Sequence, residues 1–462
     1  MRGLGALVLP LLTFGCQKEA PAGADAKEAL NLILISLDTC RADRLGVYGA
    51  ARGNSPRLDA FAQECAVFTD CWAQSTSTGP SHRSLFSGQF VHRHGMHDNY
   101  FTEAPYTLAG VLAGAGWRTA GFSGGGYVRK KYGLDQGFEV FREPAGQPYT
   151  RDLPEVLPVA REWLAQAVAE PFFLFVHGYD PHCPYWPPEP WRSQYAGWYQ
   201  GALDARDKCG RQDFEPLIRS GEFGAEERRY VSDLYDAAVA SADDQIGRFL
   251  DELRARGLLE RSLVVFLSDH GESLGEHDWV GHTRMWEEQL RVPLMIRFPG
   301  GEHAGRYDDP VMLVDVFSTV LGALSVPAPE GAQGIDLMPR LRGGAPLPAE
   351  RLRLAQFGAR ESLRLDARWK LTTRSVKGVL TERELYDLQA DAGETRNLYA
   401  TAEGREVFDR LYARYQEWRG DTQAQDARHR GRRVEVETSE EDAAALAEVG
   451  YAGAAAGGSD ED

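Results

Sequence analysis

The chain has 462 residues, 43% hydrophobic and 26% charged, values ordinary for a soluble globular protein and enough for a large core in more than one domain. A formal net charge of −17 argues against a nucleic-acid partner, because binding a phosphate backbone needs a basic face. An anionic substrate would be held by a local cluster of metal, His and Arg against the overall field.

The N-terminus reads as an export signal. Arg2 precedes an apolar run, residues 4–14, of signal-peptide length and too short to span a bilayer as a mature helix. The run ends Leu11-Leu12-Thr13-Phe14-Gly15-Cys16, which is similar to a bacterial lipobox, although Thr13 and Phe14 depart from its usual residues. Residues 1–16 are therefore expected to direct the chain to the periplasm or cell envelope, lipid-anchored at Cys16, with a plain signal peptide as the alternative. Residues 17–29, rich in Ala, Lys and Glu, read as a tether. Of the six cysteines, Cys40, Cys65, Cys71, Cys183 and Cys209 remain for the mature chain. Their spacing suggests neither a zinc site nor a disulfide framework, so they read as small buried residues with at most one or two bridges.

Residues 30–37 (LNLILISL) form a short apolar run suited to a strand buried on both faces, with Asp38 directly after it. The pattern recurs at 171–177 (PFFLFVH), which leads into Asp180 and His182, and at 262–268 (SLVVFLS), which leads into Asp269 and His270. Open α/β sheets bind ligands at the carboxyl ends of their strands, so these polar groups are expected to converge. Helical periodicity fills the intervals at 56–64, 107–115, 154–169 and 226–256, and 117–122 reads as another strand. Residues 30–344 therefore read as an α/β sheet covered on both faces. Gly124-Gly125-Gly126 reads as a loop. Short segments at 351–357, 361–365, 369–373 and 384–388 predict a small antiparallel sheet, and 403–419 a helix, making a C-terminal subdomain over 345–419. Residues 420–462 read as a polar tail, disordered at 457–462.

Thr78-Gly79-Pro80-Ser81-His82, continued to Gly88, resembles the sulfatase signature, with Thr78 where the family has the Cys or Ser that becomes formylglycine and His82 where it has Arg. Five further segments resemble the same family in order. They are 31–45 (NLILISLDTCRADRL), 180–185 (DPHCPY), 268–277 (SDHGESLGEH), 291–294 (RVPL), and 384–388 (ELYDL) with Asn397-Leu398. The resemblance covers nearly all of residues 30–400. It implies an alkaline-phosphatase-like fold, a mixed sheet sandwiched between helices with a smaller C-terminal antiparallel sheet.

The resemblance also implies roles. Asp38, Asp269 and His270 would ligate one divalent cation, with Thr78 Oγ as a further ligand, and this donor set suits Ca²⁺, Mg²⁺, Mn²⁺ or Zn²⁺. Thr78 would be the nucleophile, and no formylglycine is expected. His182 matches the family's anion-contacting or leaving-group-protonating His. His282 stands where the family has Lys, and His82 and His282 would replace the missing Arg and Lys. Thr39 replaces the second Asp of the usual pair, and the family's Lys-x-His segment has no counterpart at 121–131. Cys40-Arg41-Ala42-Asp43-Arg44 fits a relaxed formylglycine pattern but directly follows the metal strand, so Cys40 reads as structural.

Other residues read more plainly: His92, His94 and His97 as structural despite their metal-like spacing, His177 and His277 as packing or as groups behind the site residues, and Cys71 as core. Trp191, Tyr195, Trp198 and Tyr199, within 186–223, read equally as a stacking surface for sugars or aryl groups and as a packed loop. The expected function is metal-dependent hydrolysis of a sulfuric or phosphoric ester, on a small molecule or a glycan. The alternatives are a Thr-nucleophile phosphoesterase, phosphonate hydrolase or phosphoryl transferase, and an inactive metal-binding module that recognises sulfated glycans.

Overall fold

The computed structural model describes residues 29–96, 100–145, 150–166 and 171–435, with 439, 440, 444 and 446 beyond them. The expected signal with Cys16, the tether up to residue 28, His97 and the 457–462 segment lie outside the described residues.

Eight strands make the main sheet: β1 (Asn31–Leu37), β2 (Ala66–Trp72), β3 (Arg118–Ser123), β4 (Val140–Arg142), β5 (Phe172–Gly178), β6 (Ser262–Ser268), β7 (Arg291–Arg297) and β8 (Gly305–Met312). Their order is β8-β2-β7-β6-β1-β5-β3-β4, and β7 runs antiparallel to both its neighbours. The three apolar runs read from the sequence are adjacent at the centre, with β1 parallel to β5 and β6. Alternation along β1 divides its side chains between two cores. Leu32 and Leu34 enter one, while Ile33, Ile35 and Leu37 enter the other.

Helices cover both faces. The first core takes residues of α1 (Thr78–Ser87) and of α4 (Leu313–Ala323), while the second takes residues of α2 (Leu153–Gln166) and of the 31-residue α3 (Ala225–Ala255). The α1 helix is buried along its whole length and ends at Gly88, whose φ of +63° and close approach to Phe317 leave no room for a Cβ.

The C-terminal sheet is the antiparallel meander expected, formed by β9 (Arg353–Phe357), β10 (Arg360–Arg364), β11 (Trp369–Val376) and β12 (Val379–Asp387). The stretch from 420, read as a polar tail, begins instead inside α5 (Ala402–His429), and Arg432–Glu435 pairs antiparallel with Tyr100–Glu103. Tertiary contact overrides composition here. Gln89 Nε2 donates to the His429 carbonyl, and Trp418, Thr422, Arg428 and His429 line a cavity of about 560 Å³ with Phe90 and Arg351. None of the described helices is long and apolar enough to cross a membrane.

Candidate active site

Register alone brings the strand ends together. Leu37 of β1 lies opposite Gly178 of β5 and Ser268 of β6, so Asp38, Tyr179 and Asp269 emerge at one edge. The Asp38 N–H donates to the Gly178 carbonyl at 3.0 Å and fixes that exit. Opposite them α1 starts at Thr78, with Pro80 in its first turn, where the missing N–H costs no helical bond. The helix therefore presents its nucleophile candidate and its free N–H groups at the sheet edge.

Thr78 Oγ lies 3.4 Å from each carboxylate oxygen of Asp38 and 3.3 Å from His270 Nε2. Asp38, Asp269 and His270 place their ligand atoms within 4.8 Å of one another, and all three are fully buried. Asp269 Oδ1 accepts from the Thr39 and His270 N–H groups at 3.2 and 2.9 Å, whereas Oδ2 completes no hydrogen bond. Burial, reinforced by Asp269 and Glu272, pushes the Asp38 carboxyl well above its ordinary range, and burial also raises Asp269. Like charges gathered in a dry site with a bare carboxylate oxygen are the environment a cation relieves. The residues thus fit the metal expected from the sequence.

Three more imidazoles surround this group. His82 Nδ1 donates to the Thr78 carbonyl at 2.9 Å, Nε2 accepts from Ser36 Oγ at 3.1 Å, and Nδ1 lies 3.5 Å from Asp269 Oδ2. Burial pushes its pKa down, and its contacts join the Thr78 carbonyl to Asp269. His182 and His282 meet with Nε2 atoms 3.2 Å apart, and the His282 ring centroid is 4.6 Å from that of His270. Burial holds both well below the ordinary imidazole range, helped at His182 by His282 and at His282 by His270, and burial holds His270 at about 4. Every site residue read from the sequence, Asp38, Thr78, His82, His182, Asp269, His270 and His282, therefore belongs to one cluster.

One member has no role in the sequence reading. Glu272 is fully buried, and burial raises its carboxyl to about 8. It faces the Tyr185 hydroxyl, yet neither of its oxygens completes a hydrogen bond. The available signal was its place two residues after His270 in the Asp-His-Gly-Glu segment. His177, read as packing or as a group behind the site, has the second place, with Nε2 3.5 Å from Asp38 Oδ2.

The plainer readings have plain contacts. His94 binds Ser84 Oγ at 2.9 Å and the Met96 N–H at 3.0 Å, while His92 binds Gln356, so they do not share a site. Cys40 is buried in the second core, and Cys71 in the first. His277 stacks on Trp286. Three of the four aromatics named in the 186–223 segment pack. Trp198 donates to Asp233 at 2.7 Å, Tyr199 stacks on Tyr230, and Arg52 covers Tyr195. Cys183 and Cys209 form a disulfide beside His182.

Comparison with known proteins agrees with this geometry. The sulfatase family profile matches residues 30–326, and the profile of the C-terminal region of N-sulphoglucosamine sulphohydrolase matches 275–421. An N-acetylglucosamine-6-O-sulfatase of Bacteroides thetaiotaomicron is 25% identical, covering 86% of this chain and 87% of its own. An arylsulfatase of Clostridium perfringens is 24% identical over 82% and 92%. Among solved structures, one with its substrate D-glucosamine-2-N,6-O-disulfate superposes with a TM-score of 0.71 at 22% identity, over 85% of this chain and 99% of that one. The phosphonate monoester hydrolase of Agrobacterium radiobacter gives 0.70 at 21%, over 89% and 98%. The fold is alkaline-phosphatase-like, and the chain belongs to the sulfatase family of sulfuric ester hydrolases.

Proposed function

We propose that this chain hydrolyses sulfate or phosphate-type esters with Thr78 as the covalent nucleophile, in a site that holds a divalent metal ion on Asp38, Asp269 and His270. The observation that carries the reading is Thr78 Oγ at a helix N-terminus, 3.4 Å from Asp38 and 3.3 Å from His270 Nε2. When bound, the ion lowers the hydroxyl pKa and polarises the ester oxygen, and the mixed carboxylate and imidazole donors favour a transition metal. Thr78 Oγ forms a bond to the substrate sulfur or phosphorus as the ester oxygen leaves and takes a proton. Water then attacks the same atom, the Oγ–S or Oγ–P bond breaks, and Thr78 recovers its proton. The N–H groups of α1 face the anion throughout.

Glycan sulfates are the primary substrate class, supported by the N-acetylglucosamine-6-O-sulfatase relative and by the neighbour that holds a glucosamine disulfate. Thr78 supports a second reading, phosphorus chemistry, because a threonine ester cannot expel sulfate by reforming an aldehyde. The phosphonate monoester hydrolase neighbour fits that reading. An exported, lipid-anchored protein is part of the proposal, supported by the Cys183–Cys209 disulfide, which suits an oxidising compartment. Mass spectrometry of the membrane fraction checks it through a diacylated Cys16.

The deciding experiment measures aryl sulfate, phosphate, phosphodiester and phosphonate turnover by metal-loaded protein and by Thr78→Ala. Loss of about 10³-fold or more in the variant supports the nucleophile, since each factor of ten is about 1.4 kcal/mol of barrier. Unchanged turnover refutes it. Metal bound without turnover of any substrate, glycan sulfates included, makes the chain a binding module.

A further inference from the structure

Beside the site lies a guanidinium that no step of the hydrolysis uses. His282 is 6% exposed, and its Nδ1 lies 2.8 Å from the carbonyl of Thr76, two residues before Thr78. Arg284 follows two residues after His282, at most about 7 Å along the chain. Thr283 and Arg284 are half-buried, so the chain rises here from the site towards the surface. Thr283 holds a φ of +100°, which a β-branched residue adopts only under constraint. Gln289 supplies the constraint. Its Oε1 accepts from the Arg284 N–H at 2.8 Å, while its Nε2 donates to Ser273 Oγ at 2.7 Å and to the Gly281 carbonyl at 3.3 Å.

The Arg284 guanidinium is held by its face. Cζ lies 4.5 Å from the ring centroid of Trp279 and 6.0 Å from that of Trp286, and Trp286 is itself stacked on His277. Stacking engages the flat face of a guanidinium and leaves its in-plane N–H donors for other partners. Among the described residues none accepts a hydrogen bond from this side chain or pairs with it, and its Nε is buried. The neighbouring charges are already matched. Arg211, 4.9 Å from the Trp279 ring, binds Glu215 at 2.7 Å. Glu382 accepts from Arg360 at 3.2 Å and lies 3.6 Å from Arg374. Burial and Arg360, with Arg211 behind them, push the Arg284 pKa down against the pull of Glu382 and Glu384. In a chain with a net charge of −17, a fixed, half-buried cation left without a carboxylate is suited to an anion brought from outside.

We propose that Arg284 is a specificity-determining residue that binds a second sulfate group, on the same sugar as the ester cleaved at Thr78. The inference rests on the glycan-sulfate reading of the site and deepens it. Two in-plane N–H groups match two oxygens of one sulfate, and the tryptophans fix the plane in which they point. His282 at the site and Arg284 above it, separated by the constrained turn at Thr283, then set the spacing between the two sulfates.

The test is a ratio of two affinities. Metal-loaded Thr78→Ala protein is titrated by calorimetry with N-acetylglucosamine 6-sulfate, which carries one anionic group, and with glucosamine N,6-disulfate, which carries two. The disulfate is expected to bind about tenfold tighter or more, as a charge-assisted hydrogen-bonded pair supplies. Adding Arg284→Gln is expected to bring the ratio close to one. Arg284→Lys, which keeps the charge and loses the planar fork, is expected to fall between. An arginine with a merely structural role alters both affinities together and leaves their ratio unchanged. Equal binding of the two sugars, or an unchanged ratio in Arg284→Gln, overturns the subsite and leaves the glycan reading standing. Binding of neither sugar overturns both. The nucleophile reading fails separately, through sulfate released by the Thr78→Ala protein during the titration.

Discussion

Lys370→Met tests how the C-terminal sheet is fastened to the segment that carries His282. Lys370, on β11, is fully buried, with Nζ 2.7 Å from Glu394 Oε1 and 3.2 Å from Glu287 Oε1. Glu287 opens the turn of helix Glu287–Leu290 just after His282, and its N–H donates to Glu394 Oε2 at 2.6 Å. Burial pushes Glu394 up to about 8 against the pull of Lys370. Burial would raise Glu287 too, but Arg364 and Lys370 overcome it and hold the carboxyl at about 2. With Glu394 mostly protonated at pH 7, the charged pair is Lys370–Glu287, which at an effective dielectric of about 20 attracts by about 5 kcal/mol, and desolvation of the ammonium returns much of that. Removing the lysine leaves buried Glu287 with Arg364 alone, at 3.0 Å, and takes the partner of Glu394, so the expected loss is about 3–5 kcal/mol. In a chain of this length that lowers the melting temperature by about 5 °C at pH 7. A loss under about 1 kcal/mol in urea titrations refutes the reasoning.

Two further predictions concern the site loop and the pH response. Cys183→Ser with Cys209→Ser removes the disulfide, whose cysteines are 26 residues apart, and costs about 2–4 kcal/mol. Because His182 Nδ1 hangs on the Cys183 carbonyl, kcat/KM is expected to fall about tenfold even at temperatures where circular dichroism shows a folded chain, and equal kcat/KM there counts against the link. Asp243 accepts from the Arg57 and Leu58 N–H groups at the start of helix Pro56–Ala62, and burial raises its carboxyl from 3.8 to about 6. The folded chain holds that proton more tightly than the unfolded one, so stability from this group is full below about pH 4 and is lost as pH rises to about 6, by about 3 kcal/mol. Asp243→Asn is expected to remove that slope in urea titrations at pH 4 and pH 7, and an unchanged slope contradicts the assignment.

The centre of the sheet was readable because β1, β5 and β6 are buried on both faces and so appear as unbroken apolar runs. The other half was not. In β7 and β8, Pro293 and Pro310 sit at register shifts of the ladder, where proline is tolerated but where a strand pattern breaks. The half-buried Thr69 and Asp70 interrupt β2 in the same way. Parallel register then explains why the site was legible. A residue following each central strand must reach the same edge, so Asp38, Asp269 and His270 could be placed without knowing how the helices pack. Glu272 was harder, because its place depends on which groups its side chain fails to bond, and no local pattern encodes that.

The family departures at Thr78 and His82 are packed together, which a reversal experiment can expose. His82 is fully enclosed, with the rings of Phe86, Phe175 and His177 at 6.1, 6.0 and 5.0 Å and both its nitrogens engaged. An arginine there needs more volume and partners for five N–H donors, and the groups it would meet are Ser36 Oγ, the Thr78 carbonyl and Asp269. Thr78→Cys with His82→Arg restores the family letters, yet overpacking is expected to cost about 1–3 kcal/mol and to push Asp269 off its present position. The Thr78→Cys single variant should keep the wild-type melting temperature, since that change adds no charge and little volume. If the double variant melts as the wild type does and gains sulfate turnover over phosphate, His82 is an isolated replacement. If it melts lower and gains nothing, the imidazole, the threonine and the carboxylates were fitted to one another. The chain then stands apart from formylglycine enzymes through the packing of its site as well as through one missing cysteine.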